Sequence, residues 1–159
     1  MDCDLLITCV DLASVRGEIG RFYGKKYSTS ALWLDTGNAA TTGQVILGDL
    51  VLGAMGEMRL PNVCDLYSEL LDESVTTDMD SDDEPSCSVE AALKKQDLFT
   101  NRTVATAACQ LLYQLLRHGE TNYHGLFIDV SKGTQAPLRI DPVVWQSMGY
   151  EKPDRKDAA

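Results

Sequence analysis

Asp11 and Cys87 are the residues whose type and position could carry chemistry. Asp11 closes the apolar run Leu5-Leu6-Ile7-Thr8-Cys9-Val10. Such a run reads as a strand covered on both faces, the habit of a parallel sheet. In open α/β sheets, ligands gather outside the carboxyl ends of the strands. A carboxylate at that point can hold Mg²⁺ through oxygen. It can equally cap the helix expected over Ala13–Tyr23, because Asp favours that position. Cys87 follows Asp82, Asp83 and Glu84 and precedes a helix expected near Ser88. The acidic neighbours raise its thiol pKa and the helix end lowers it. A helix end contributes roughly 0.3–1 kcal/mol, and exposed charges in water are screened to a similar size. The two nearly cancel, so Cys87 reads either as a plain loop cysteine or as an acyl acceptor between a mobile loop and a helix start.

The remaining thiols and imidazoles invite structural readings. Cys9 and Cys109 lie on apolar faces and are expected as small core residues. No C-x-x-C pair occurs among Cys3, Cys9, Cys64, Cys87 and Cys109, so no zinc site is expected. His118 and His124 have no partner at ligand spacing and are expected at the surface. An odd cysteine count, behind a start without a basic segment, points to reduced thiols in the cytoplasm.

The elements that must position these groups lie in 159 residues, the size of one domain or of a fragment of a larger one. Apolar residues make up 44% and the formal net charge is -10. That balance argues against nucleic acid and against anionic membranes as partners, and no apolar run approaches the roughly 18 residues of a membrane span. Between Asp72 and Glu84 seven acidic residues occur with no basic one, so residues 72–86 are expected to form a mobile acidic loop. Before it, the α/β pattern continues with a helix stopped near Gly24, a buried strand Ala31–Leu34, a turn at Asp35-Thr36-Gly37-Asn38, and strands at Gln44–Leu47 and Leu50–Leu52. After it, Val104, Ala108, Leu111, Leu112, Leu115 and Leu116 form the stripe of an amphipathic helix, capped by Thr100 or Asn101 and ended by Gly119. Leu126–Val130 and Pro137–Ile140 follow as a strand pair across Lys132-Gly133. The tail 151–159 is expected to be frayed. The chain opens inside a buried-strand pattern, which suggests that Met1 is not the natural start of the domain.

The string Asp4–Asp11 followed by Arg16 resembles the D-hydrophobic-[IV]-x-C-x-D-N-x-x-x-R stretch of the ThiF/MoeB/HesA family of adenylating enzymes, relatives of ubiquitin-activating enzymes. Gly43-Gln44-Val45 looks like that family's G-x-x-G-Q-V region. Pro85-Ser86-Cys87-Ser88 resembles its cysteine-bearing crossover loop. Leu34–Asn38 and Lys95–Ala105 are most similar to the ThiF branch of PRTRC systems. The likeness runs from about Asp2 to Trp145 and covers the C-terminal half or so of a member.

That resemblance implies the C-terminal part of a Rossmann-like ThiF fold, residues 1–150, with a mixed sheet, flanking helices and an acidic crossover loop. It implies ATP- and Mg²⁺-dependent adenylation of the C-terminal carboxylate of a small ubiquitin-like protein, and a homodimer. Asp11 would position Mg²⁺ and the ATP phosphates, Arg16 would support the nucleotide site or stand as a surface helix charge, and Cys87 would take the acyl group. Leu12 stands where the family has Asn, and the glycine-rich G-x-G-x-x-G loop does not occur in the sequence. The rival is a non-catalytic binding or assembly module of the same fold. A remote alternative is an aspartic protease, because Ala31–Gly37 also resembles the hydrophobic-D-T-G signature. Its second marker, Ile46-Leu47-Gly48, comes too soon after the first.

Overall fold

The computed structural model describes residues 4–24, 31–50, 59–81 and 99–150. Among the described residues, five strands lie side by side in chain order: β1 Leu5–Thr8, β2 Leu32–Asn38, β3 Thr42–Asp49, β4 Tyr123–Asp129 and β5 Thr134–Arg139. β1 and β2 run parallel, joined through helix α1 (Ala13–Gly24), and the other pairs are antiparallel. The fold is therefore α/β, as the sequence pattern predicts, with a mixed sheet and flanking helices.

Alternation along the strands sorts the core into two layers. Trp33 and Ile46 face one way and pack with Val63, Cys64, Leu70, Leu138 and Trp145. This side is covered by α1, α2 (Val63–Leu66), a 3-10 turn (Ser68–Leu71), α3 (Glu73–Ser81) and, at the end of the described chain, α5 (Pro142–Ser147). Leu34, Val45 and Leu47 face the other way, onto Val104, Ala107, Ala108 and Leu111 of the long helix α4 (Thr100–His118). Among the described residues, no helix is long and apolar enough to cross a membrane.

Several expectations are corrected. Among the described residues β1 lies at the edge of the sheet, and it is not covered on both faces, since Ile7 is 51% exposed. Asp35-Thr36-Gly37-Asn38 continues β2 instead of turning. Asp35 lies opposite Ile46 and Thr36 opposite Val45, so pairing overrides the turn propensity of these residues. The chain reverses at residues 39–41, where Ala39 N–H donates to the Thr42 carbonyl at 2.8 Å. β3 is longer than Gln44–Leu47. Leu50 lies just past its end, and residues 51–52 fall outside the described residues.

The acidic segment holds the largest correction. Residues 73–81 form α3 rather than a mobile loop. The Asp72 carboxylate accepts from Ser74 N–H at 2.9 Å and Ser74 Oγ at 2.6 Å, which caps the start. Arg21 pairs with Glu73 at 3.5 Å, and the side chain of Thr76 is buried. Thus capping and a neighbouring helix outweigh like-charge repulsion. Residues 82–86 lie outside the described residues, as does the tail 151–159.

α4 keeps its predicted stripe except at the end. Val104, Ala108 and Leu111 are buried, Leu112 and Leu115 are partly buried, and Leu116, turned about 100° from Leu115 around the helix, is 77% exposed. Its N-cap is Phe99, with no side-chain bond, rather than Thr100 or Asn101. Thr100 instead donates its hydroxyl to the Ala40 carbonyl at 2.9 Å, pinning the helix start to the β2–β3 turn. Gly119 ends the helix at φ 73, as expected of a left-handed cap. β4 and β5 form the expected hairpin around Gly133.

His118 is exposed as expected, whereas His124 is fully buried, against expectation. Trp145 Nε1 donates to His124 Nε2 at 2.7 Å, so Nδ1 carries the proton it shares with the Leu47 carbonyl, also at 2.7 Å. The ring is neutral and ties β4 to β3 and α5. Burial lowers its pKa from 6.5, against the raising effect of the Leu47 bond. The unfolded chain therefore binds this proton more readily than the folded one, and stability is lost as pH falls below 6.5. Denaturant titrations across that value should show a steep acid loss in the wild type and a shallower one in His124→Gln. The α4 layer predicts a contrast in the same assay: Leu111→Ala should cost about 2–5 kcal/mol and Leu116→Ala no more than about 0.5 kcal/mol.

Candidate functional site

β1, α1 and β2 make a parallel strand–helix–strand unit, and Asp11 is exposed on the loop leaving β1. The loop is held from beneath by Arg16. Its Nη2 donates to the Val10 carbonyl at 2.5 Å and the Thr36 carbonyl at 3.0 Å. Its Nε donates to Asp35 Oδ2 at 3.0 Å. The carboxylate of Asp35, 1% exposed, also accepts from Thr8 Oγ1 at 2.6 Å, and Trp33 Nε1 donates to that same hydroxyl oxygen at 2.8 Å. A Cβ at position 37 would come within 3.0 Å of Arg16 Nη2, so Gly37 leaves room for the guanidinium. Burial pushes the Asp35 pKa up, opposed by the attraction of Arg16 and the bond from Thr8.

Arg16 is thus not a free surface charge. It fastens the loop that carries Asp11. Asp11 does not cap α1 either. That place is taken by Asp80 of α3, whose carboxylate accepts from Ala13 N–H at 2.7 Å and Ser14 N–H at 3.1 Å. Burial raises the Asp80 pKa, but these bonds and the charge of Arg16 together prevail and leave it lowered. Two of the first-turn donors of α1, which could otherwise receive an anion, are therefore occupied from within the chain.

Cys87 lies outside the described residues. Cys9 and Cys109 are exposed, contrary to the core reading. Cys9 falls past the end of β1, and Cys109 is on the flank of α4 turned away from the sheet. Among the described cysteines, Cys64 is the buried one. It donates to the Arg16 carbonyl at 3.6 Å, and burial, with Asp65 and Asp35 nearby, pushes its pKa up to about 12. It is a packing residue, protonated at physiological pH. Among the described residues, no group of three or more His, Cys, Asp or Glu side chains could hold a metal ion. An open groove of about 290 Å³ lies between α4 and β5, lined by Phe99, Arg102, Thr103, Thr106, Gln110 and Gln135.

Sequence reasoning missed Thr8, Asp80 and the Arg16–Asp35 pair. The hydroxyl of Thr8 inside an apolar run, and a lone carboxylate straight after Trp33-Leu34, were the signals available. Asp80 had none, because its contact with α1 spans sixty-seven positions.

Removing Arg16 should leave Asp35 buried and unpaired. Arg16→Ala is expected to cost about 3–5 kcal/mol in chemical denaturation, whereas Arg16→Met combined with Asp35→Leu should cost clearly less. Undiminished stability in Arg16→Ala would show the pair to be dispensable. No protein-family model and no curated protein matches the chain.

Proposed function

We propose that the chain is the Asp11-bearing part of a ThiF-like, ubiquitin-activating-type adenylating enzyme. The observation that carries this reading is the place of Asp11, exposed on the loop leaving the first strand of a parallel strand–helix–strand unit. A carboxylate there suits a hard cation held through oxygen and water. Mg·ATP, when bound, supplies an activated phosphorus to which the C-terminal carboxylate of a small ubiquitin-like protein adds, with loss of pyrophosphate. In this reading Asp11 holds the cation. Arg16 is a positioning residue that fixes the Asp11 loop through the Val10 carbonyl. The Cys87 thiolate is the acyl acceptor. It adds to the activated carbonyl and AMP departs. A glycine-rich phosphate loop has to be supplied by sequence other than these 159 residues, and the active assembly is a homodimer.

A specific observation favours the second reading, a non-catalytic binding or assembly module. The donors nearest Asp11 are already used: Arg16 by Asp35, and the Ala13 and Ser14 amides by Asp80. Phosphoryl chemistry depends on positive charge placed around the phosphates. The protease reading draws no support from the structure, since Asp35 is enclosed with Arg16 inside a mixed sheet.

Calorimetric titration with Mg·ATP separates the two main readings. The wild-type chain is expected to give little heat. Asp80→Ala, which frees two helix amides, should raise the affinity, and adding Asp11→Asn to that variant should abolish it. Silence in every variant sinks the nucleotide-binding reading for this chain and leaves the module.

A further inference from the structure

α4 lies over β2 and β3, touches β4 less and hardly reaches β5. The register shows which side of β5 is left open. Gln135 lies opposite Ile128 and Pro137 opposite Leu126, and both of those β4 residues belong to the core layer under α4. Gln135 and Pro137 therefore face the α4 side, and both are exposed. On the helix, Phe99, Thr103, Thr106 and Gln110 recur every three or four residues and share one face, beside the buried Ala107. That helix face and the strand wall the open groove of about 290 Å³.

The groove has a definite chemistry. Phe99 is 58% exposed and supplies an apolar wall. The hydroxyls of Thr103 and Thr106 donate back to the carbonyls of Phe99 and Arg102 at 2.9 and 2.7 Å, so their protons are spent inside the helix. What meets a ligand is the Arg102 guanidinium and the side-chain amides of Gln110 and Gln135. Among the described residues, Arg102 has no ion-pair partner. A glutamine amide offers donors and an acceptor, the complement of a peptide backbone. A guanidinium is matched to a carboxylate.

Charge on this side differs from that of the whole. α4 carries Arg102 and Arg117, β5 carries Arg139, and neither element contains an aspartate or glutamate, in a chain of net charge -10. Salt limits the reach of exposed charges to about 8–10 Å, so these arginines, not the total, decide what the face attracts. The groove lies at the small end of the roughly 300–1,000 Å³ of small-molecule sites and is open along its length, which suits a few residues of extended chain. A second copy is a poor occupant, because a two-fold dimer through this face would bring arginines against arginines.

We infer that the groove between α4 and β5 docks an extended acidic segment of a partner protein, with a carboxylate on Arg102, an apolar side chain on Phe99, and backbone groups on Gln110 and Gln135. This rests on the α4–β5 face alone and is independent of the adenylation reading.

The test uses the full chain and an array of capped peptides, each a leucine–serine repeat with a pair of glutamates placed at a different position. The best of them, labelled with fluorescein, should show saturable binding by fluorescence anisotropy. Its counterpart with lysines for glutamates should bind about tenfold more weakly or worse at low salt. Arg102→Glu, at an exposed position, should leave thermal melting unchanged and reverse that preference. Amide shifts in nuclear magnetic resonance spectra should concentrate on Phe99–Gln110 and Gln135. Absence of saturable binding from the whole array overturns the proposal. So does equal binding of the lysine peptide, indifference to Arg102→Glu, or shifts confined to other elements. Displacement of the peptide by an equal concentration of inorganic phosphate would assign Arg102 to a free anion, and a dimer in sedimentation that Arg102→Glu dissolves would assign the face to a second copy. Either result overturns it equally.

Discussion

The ion pair between Arg16 and Asp35 is the interaction on which the first half of the fold depends. Asp35 sits in the middle of β2, where a carboxylate has no access to water, and is admitted there only because Arg16 and Thr8 satisfy its oxygens. Arg16 in turn binds the carbonyl of Val10, just past β1, and that of Thr36, within β2. One side chain thereby fixes the strand, the helix and the loop between them. A buried pair of this kind is weak evidence for stability, because desolvation offsets much of the attraction. What it supplies here is register: a slip of β2 by one residue would carry Asp35 to the α4 side, away from Arg16.

The same region is packed too closely to tolerate larger side chains. A Cβ on Gly17 would lie 2.1 Å from the Leu70 carbonyl oxygen, and one on Gly20 would lie 2.7 Å from Cys64 Sγ. α1 therefore rests almost on the backbone of the 3-10 turn, and α3 follows directly from that turn. This proximity lets Asp80 reach the start of α1 and Arg21 reach the Leu71 carbonyl. α3 is held by contacts with α1 more than by its own composition, which is rich in charge and poor in apolar groups.

What was legible in the sequence follows from this division. The stripe of α4, the glycine at its end and the β4–β5 hairpin depend on short-range periodicity and turn chemistry, and the structure has all three, without Leu116 in the stripe and with both strands starting three residues earlier than the pattern puts them. The elements misread are those decided by distant partners. Asp35–Asn38 looks like a turn until β3 pairs with it. Residues 73–81 look like a solvated acidic loop until Asp72, Arg21 and α1 are in place. His124 looks like a surface histidine until Leu47 and Trp145 accept and donate to its ring. At the candidate site, the position of Asp11 at a strand end was legible. The engagement of Arg16 was not, because its partner lies nineteen residues away on another strand.

Charge accounting around Asp11 constrains any ligand that binds there. Asp11 and Asp80 each bring a negative charge to the start of α1, and the positive charge of Arg16 is already shared with Asp35. An anion arriving alone would meet a region of net negative potential with its nearest helix amides taken. A divalent cation reverses that balance, since it satisfies a carboxylate directly and carries the surplus charge an anionic group requires. Recognition of a phosphate at this loop would thus have to begin with the cation. The positive donors that finish the task would come from residues outside the strand–helix–strand unit.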